Sequence, residues 1–186
     1  GLEVLHHIPH RINEGYGLNQ EIVKFAKENQ VKLMVTADCG IVNHKEIEYL
    51  RQANIDVIVT DHHEPQDFHL PAASSIINPK AKHSGYPYRE LAGVGVAYKF
   101  AQAITGSLLI DDLDLVALGT IADSVPLTGE NRIIAKEGLV KLAQTKRLGL
   151  RAIIENAGIE NKKFNSTDVS FIIAPRLNAP GRMDYA

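Results

Sequence analysis

Two short runs rich in β-branched residues, Lys32 to Thr36 and Ile55 to Thr60, limit what this chain can become more than any other feature. Each reads as a buried strand, and the stretch between them has helical periodicity: Ile47, Leu50 and Ala53 fall near one face, and Asn43 followed by Glu46 reads as a capping arrangement. Strand, helix, strand is a βαβ unit, and the right-handed crossover rule makes its strands parallel. Upstream, Asn19 can cap a helix carrying Ile22, Phe25 and Ala26; downstream, Ile76-Ile77 before Asn78-Pro79 reads as a further short strand. After Pro87 the pattern turns helical, over Val94 to Ile104, Asp112 to about Ala122, Asn131 to about Gln144 and Leu150 to Asn156. The expected architecture is an α/β fold: a doubly wound, mostly parallel sheet followed by a mainly helical segment.

The 186 residues suffice for one domain with a real core. Their apolar runs fall short of the ~18 residues of a membrane span, so no membrane partner is expected. A single cysteine, Cys39, excludes an internal disulfide, and the opening residues lack the apolar core of a signal peptide; both fit a reducing cytoplasm. Twenty basic against 22 acidic residues give a net charge of −2, so a polyanion must be held by a local basic patch or by bound cations.

In open parallel sheets ligands bind beyond the carboxyl ends of the strands. Here the first strand runs into Thr36-Ala37-Asp38-Cys39-Gly40 and the second into Thr60-Asp61-His62-His63-Glu64, which places Asp38, Asp61, His62 and His63 at one rim. Carboxylate oxygens with imidazole nitrogens form a ligand set for a divalent metal such as Mn²⁺. Asp38 alone could equally be a turn cap, and the histidine pair a solvated loop; their joint delivery at two strand ends favours the site. Asp123 is placed near the C-terminal end of a helix, where the dipole disfavours a carboxylate, so a lysine, an arginine or a metal should compensate it. Asp111, Asp112 and Asp114, at a helix start, read as charges complementing the helix dipole and stay outside the site. Gly93-Val-Gly95-Val-Ala-Tyr98 fails as a dinucleotide fingerprint, because Tyr98 stands where a third glycine belongs and no strand leads into it. Near the C-terminus, Arg176, Asn178 and Arg182 fall on a predicted loop rich in Gly and Pro, and arginine forks suit phosphate oxygens.

Six segments in order, IPHRINEGYGL from residue 8, TADCGI from 36, VTDHHEP from 59, ELAGVGVAYK from 90, GTIADSVPLTGENR from 119 and RLNAPGR from 176, resemble the DHH phosphoesterase superfamily. Within it they are similar to the RecJ family of single-strand-specific 5′-to-3′ exonucleases. The resemblance implies metal-dependent hydrolysis of phosphodiester bonds in single-stranded DNA, of the DNA repair and recombination type, with two Mn²⁺ or Mg²⁺ ions in the intact protein. It implies Asp38 as a carboxylate bridging two ions, His62 and Asp123 as further ligands, His63 at the scissile phosphate and Asp61 orienting the histidine pair. Arg176, Asn178, Arg182 and Arg11 would line the phosphate path. Single-stranded DNA is the implied partner, with single-strand-binding protein and helicases as protein partners. Alternatives are a DHH phosphodiesterase of short oligonucleotides or cyclic dinucleotides, and a non-catalytic nucleic-acid-binding scaffold. The family's first motif, an Asp-x-Asp-x-Asp-Gly run, does not occur in the chain. The expectation is therefore a partial catalytic domain, with its first strand and first metal motif upstream and a DHH-associated domain downstream.

Overall fold

The computed structural model describes residues 3–10, 13–66, 69–160 and 162–183. Helix α1 (Gln20–Glu28) starts where the sequence predicts: Asn19 lies in extended backbone and its side-chain oxygen accepts the Ile22 amide at 2.9 Å, satisfying one donor that the first turn leaves open. Strand β1 (Leu33–Ala37), helix α2 (His44–Gln52) and strand β2 (Asp56–Thr60) form the βαβ unit. Ala37 stands opposite Thr60 in the β1–β2 ladder, and the short strand β3 (Ser75–Ile77) pairs in parallel on the other side of β2, with Ile77 opposite Thr60.

Alternation of side chains along β2 then assigns the two faces. Val57 and Val59 pack with Ile22 and Ala26 of α1 and with Ile47 and Leu50 of α2. On the opposite face Ile77 joins Leu91, Val116 and Ile134, together with Val96 of helix α3 (Gly93–Thr105). Helices on both faces give the doubly wound arrangement. Among the described residues β1 forms one edge of the sheet, which corrects the expectation of a fully buried strand: Leu33 is 52% exposed and Val35 47%. They face a groove of ≈ 410 Å³ whose far wall includes Leu5 and Ile8 of the N-terminal segment. Asn43 also departs from expectation, since its side chain makes no cap to α2. It accepts the Leu18 amide at 3.4 Å and donates to the Leu18 carbonyl at 3.0 Å, tying the start of α2 to the loop before α1.

The helical half comprises α4 (Leu113–Ala122), α5 (Gly129–Ala143) and α6 (Leu148–Asn156), around a core that includes Leu118, Ile121, Leu142, Ile154 and Phe164. The acids at the start of α4 are ion-paired: Asp111 with Lys141 at 3.1 Å, and Asp112 and buried Asp114 with Arg147 at 2.6 and 3.1 Å. The chain continues as α7 (Ser166–Asp168), a π turn over Val169–Ile173, α8 (Ala174–Asn178) and α9 (Pro180–Met183), so the loop predicted around Arg176 and Asn178 is helical instead. Val169 and Ile173 are fully buried in the core and hold the segment down, while the wider π turn before Pro175 takes up the proline that an unbroken α-helix would reject. No helix among the described residues is long and apolar enough to cross a membrane.

Candidate metal centre

The site forms where β1 and β2 end. Past Ala37 the chain turns sharply: Asp38 adopts φ +62°, a left-handed conformation that costs a non-glycine residue about 1 kcal/mol. Three contacts hold it there. Its amide donates to the Thr60 carbonyl at 2.9 Å, its carbonyl accepts the Tyr16 hydroxyl at 2.6 Å, and Thr36 Oγ1 donates to the Cys39 carbonyl at 2.7 Å.

Past Thr60, Asp61 is buried and organises everything around it. Its carboxylate accepts the amides of Ile41 (3.0 Å), His62 (2.7 Å) and His63 (3.1 Å), and its Oδ1 lies 2.7 Å from His63 Nδ1. That contact places the Nδ1 proton toward Asp61 and leaves Nε2 facing outward. Asn78, following β3, donates to the His63 carbonyl at 2.9 Å. Residues 61–63 lie beyond the end of β2, so strand alternation does not set the direction of the two imidazoles. The rings sit with centroids 4.5 Å apart, and ligand atoms of Asp38, His62 and His63 all fall within 4.8 Å of one another.

Asp123, the C-cap residue of α4, completes the cluster: its Oδ2 lies 3.4 Å from His62 Nε2, which is itself 3.1 Å from Asp38 Oδ1. Among the described residues no lysine or arginine pairs with Asp123, so His62 is its partner at the negative end of the helix. Although His62 Nε2 and Asp38 Oδ1 are close, they do not meet in hydrogen-bond geometry; both atoms, and His62 Nδ1, are buried without a hydrogen-bond partner. Buried polar atoms normally have one, and an oxygen and a nitrogen left open toward each other suit a divalent cation. Electrostatics point the same way. Burial acts to lower the His62 pKa, yet Asp38 and Asp123 outweigh it and leave the imidazole raised above its ordinary 6.5. Burial, with Asp38, Cys39, Asp61 and Asp123 adding to it, pushes the Tyr16 phenol up to about 12, and burial with Asp61 and Asp38 pushes the Cys39 thiol up to about 11. The pocket is thus strongly anionic, and Tyr16 stays neutral as a hydrogen-bond donor.

The predicted ligands Asp38, His62 and Asp123 therefore converge, with His63 and Asp61 beside them. Arg176 and Asn178 stand on α8 rather than on a loop, and Arg176 donates to the Ile172 carbonyl at 2.8 Å. Arg11 and the Arg182 side chain lie outside the described residues. Sequence reasoning gave no role to Tyr16, Asn78 or Gly93, though Gly15 and Gly17 flanking Tyr16, with φ of +80° and +81°, mark a tight turn.

A profile of the DHH family, N-terminal domain, matches residues 1–120. The chain belongs to the DHH family. It is 47% identical over 180 residues to the single-stranded-DNA-specific exonuclease RecJ of Bacillus subtilis (strain 168), covering 97% of this chain and 23% of that protein. With RecJ of Escherichia coli (strain K12) it shares 42% identity, over 95% of this chain and 33% of that protein. In three dimensions it is similar to a crystal structure of exonuclease RecJ bound to manganese, with a TM-score of 0.83 and 38% identity, covering 96% of this chain and 46% of that one. RecJ of Thermus thermophilus in complex with Mn²⁺ follows with a TM-score of 0.76 and 36% identity, over 89% of this chain and 25% of that one. The chain thus spans roughly a quarter to a third of the length of the Bacillus and Escherichia relatives.

Proposed function

We propose that the protein containing this DHH-family chain hydrolyses phosphodiester bonds of single-stranded DNA from the 5′ end, with Mn²⁺ or Mg²⁺ held by Asp38, His62 and Asp123. The observation that carries the reading is the convergence of these three residues, with buried Asp38 and His62 atoms that have no hydrogen-bond partner, in a chain closely similar to RecJ exonucleases. When bound, such ions supply Lewis acidity at the phosphoryl oxygen and make water a nucleophile near neutral pH. The chain's own side chains do the rest. Asp61 fixes the His63 ring through Nδ1, so that Nε2 meets the scissile phosphate, and the same carboxylate locks the backbone of both histidines. Tyr16 holds Asp38 in its left-handed turn. Arg176, Asn178, Arg182 and Arg11 are assigned to the path of the DNA phosphates, where guanidinium forks pair with two oxygens at once. The remaining carboxylates of a two-ion site are assigned to a further strand; the open edge of β1 and the groove beside Leu33 and Val35 leave room for it. Single-strand-binding protein, helicases and a cytoplasmic setting in DNA repair and recombination belong to the same reading.

The test is hydrolysis by the full-length protein in Mn²⁺ of a 5′-phosphorylated single strand, the matching duplex and a cyclic dinucleotide. Selective loss of mononucleotides from the single strand is expected. Equal cutting of the duplex or of the cyclic dinucleotide would overturn the exonuclease reading in favour of a general DHH phosphodiesterase, and binding without hydrolysis would leave a scaffold.

A further inference from the structure

We propose that Gly93 is a positioning residue for the Asp38 carboxylate, because the missing side chain at the first position of α3 is the space which that carboxylate occupies. The inference rests on the reading of Asp38 as a metal ligand and adds a second residue to it. A Cβ built on Gly93 would lie 2.1 Å from Asp38 Oδ1, 2.5 Å from its Cγ and 2.8 Å from its Cβ. All three are far inside van der Waals contact, and the last is set by the Asp38 backbone, so no rotation of the aspartate side chain relieves it.

Retreat of either backbone is costly. Asp38 is fixed by its bonds to Thr60 and Tyr16 and by its left-handed φ. The start of α3 is fixed by Leu91, Ala92 and Val96, exposed by no more than 2%. A side chain at position 93 must therefore push the carboxylate off its place 3.1 Å from His62 Nε2. The carboxylate lies at the N-terminal end of α3, where the helix dipole favours negative charge. Close approach, rather than phosphate binding by a dinucleotide fingerprint, is what the glycine in Gly93-Val-Gly95 serves. Two other tight glycines differ: a Cβ on Gly119 would meet Val94 Cγ1 at 2.9 Å and its Cβ at 3.1 Å, and one on Gly40 would meet Thr36 Oγ1 at 2.9 Å, so neither meets an atom of the ligand set.

The experiment compares Gly93→Ala, Asp38→Gly, the double variant and Gly149→Ala in the full-length protein, Gly149 having open space where its Cβ would go. Mn²⁺ binding is read by titration calorimetry and thermal stability in chelator. Asp38→Gly removes every atom of the clash and suits the left-handed φ. Gly93→Ala is expected to weaken Mn²⁺ binding by about tenfold or more, the size seen when the support of a metal ligand is lost, and to lower Tm. In the Asp38→Gly background the same change should leave Tm unaltered or raise it, and Gly149→Ala should leave Mn²⁺ binding unchanged. Unchanged Mn²⁺ affinity in Gly93→Ala, with Asp38→Gly impaired, would overturn the proposal, as would an equal fall in Tm in both backgrounds. Unchanged Mn²⁺ affinity in Asp38→Gly would instead overturn the metal-centre reading, and this proposal with it.

Discussion

Replacing Asp61 tests how much of the site depends on one buried carboxylate. In Asp61→Ala the amides of Ile41, His62 and His63 and the His63 ring nitrogen all lose their acceptor. Ile41 is 1% exposed and His62 6%, so bulk solvent does not reach those two amides in the parent. A buried donor left unpaired costs about 1–3 kcal/mol, which makes the two together worth roughly 2–6 kcal/mol. Against a typical domain stability of about 5–15 kcal/mol that is a large share. Asp61→Asn keeps one oxygen for the histidine amides but turns an NH₂ toward the Ile41 amide at the present 3.0 Å contact, a loss of about 2 kcal/mol. At ~2–4 °C per kcal/mol for a chain of this size, the asparagine variant should melt ~4–8 °C below the parent and the alanine variant further still. Circular dichroism melts in chelator, which remove any contribution from metal, give the measurement. An alanine variant melting within ~2 °C of the parent would refute the view that Asp61 organises the strand end.

Three further outcomes follow from the same geometry. Asp38→Ala and Asp123→Ala should abolish hydrolysis in the full-length protein with folding intact, whereas Asp112→Ala, which removes only a partly exposed ion pair with Arg147, should leave the rate nearly unchanged; equal losses in all three at equal stability would show that the centre has been misplaced. His62→Ala should raise the Mn²⁺ concentration needed for half-maximal rate, while His63→Ala should lower kcat by ~10²–10³ at saturating metal; a Mn²⁺ titration on a 5′-phosphorylated single strand that rescues His63→Ala instead would reverse the assignment. Away from the site, the Lys162 ammonium 2.6 Å from Asp168 holds that carboxyl below its ordinary 3.8, so its contribution to stability is present above that value and lost as pH falls through the lowered one. Urea unfolding of the parent and Asp168→Asn over a descending pH series should show a gap that closes in the acid range; a gap constant with pH would contradict this.

What the sequence determined by itself was local. Period-two and helical patterns are set by backbone geometry over a few residues, so the two strands, the helix between them, the Asn19 cap and the polar residues at the strand ends, Asp38 and Asp61 to His63, could all be read directly. The same local logic placed Asp123 at a helix end that disfavours its charge. It failed where a distant residue decides the outcome. Asn43 looked like a cap but is taken by Leu18, and the stretch carrying Arg176 and Asn178 looked like a loop until buried Val169 and Ile173 just before it held it as helix. Gly93 and Tyr16 carry no local signal for their contacts with Asp38, because close packing between elements far apart in the chain is a property of the assembled core. The chemistry of the site is thus written in short segments, while the distances that could make it a metal centre arise only when β1, β2, α3 and α4 pack together.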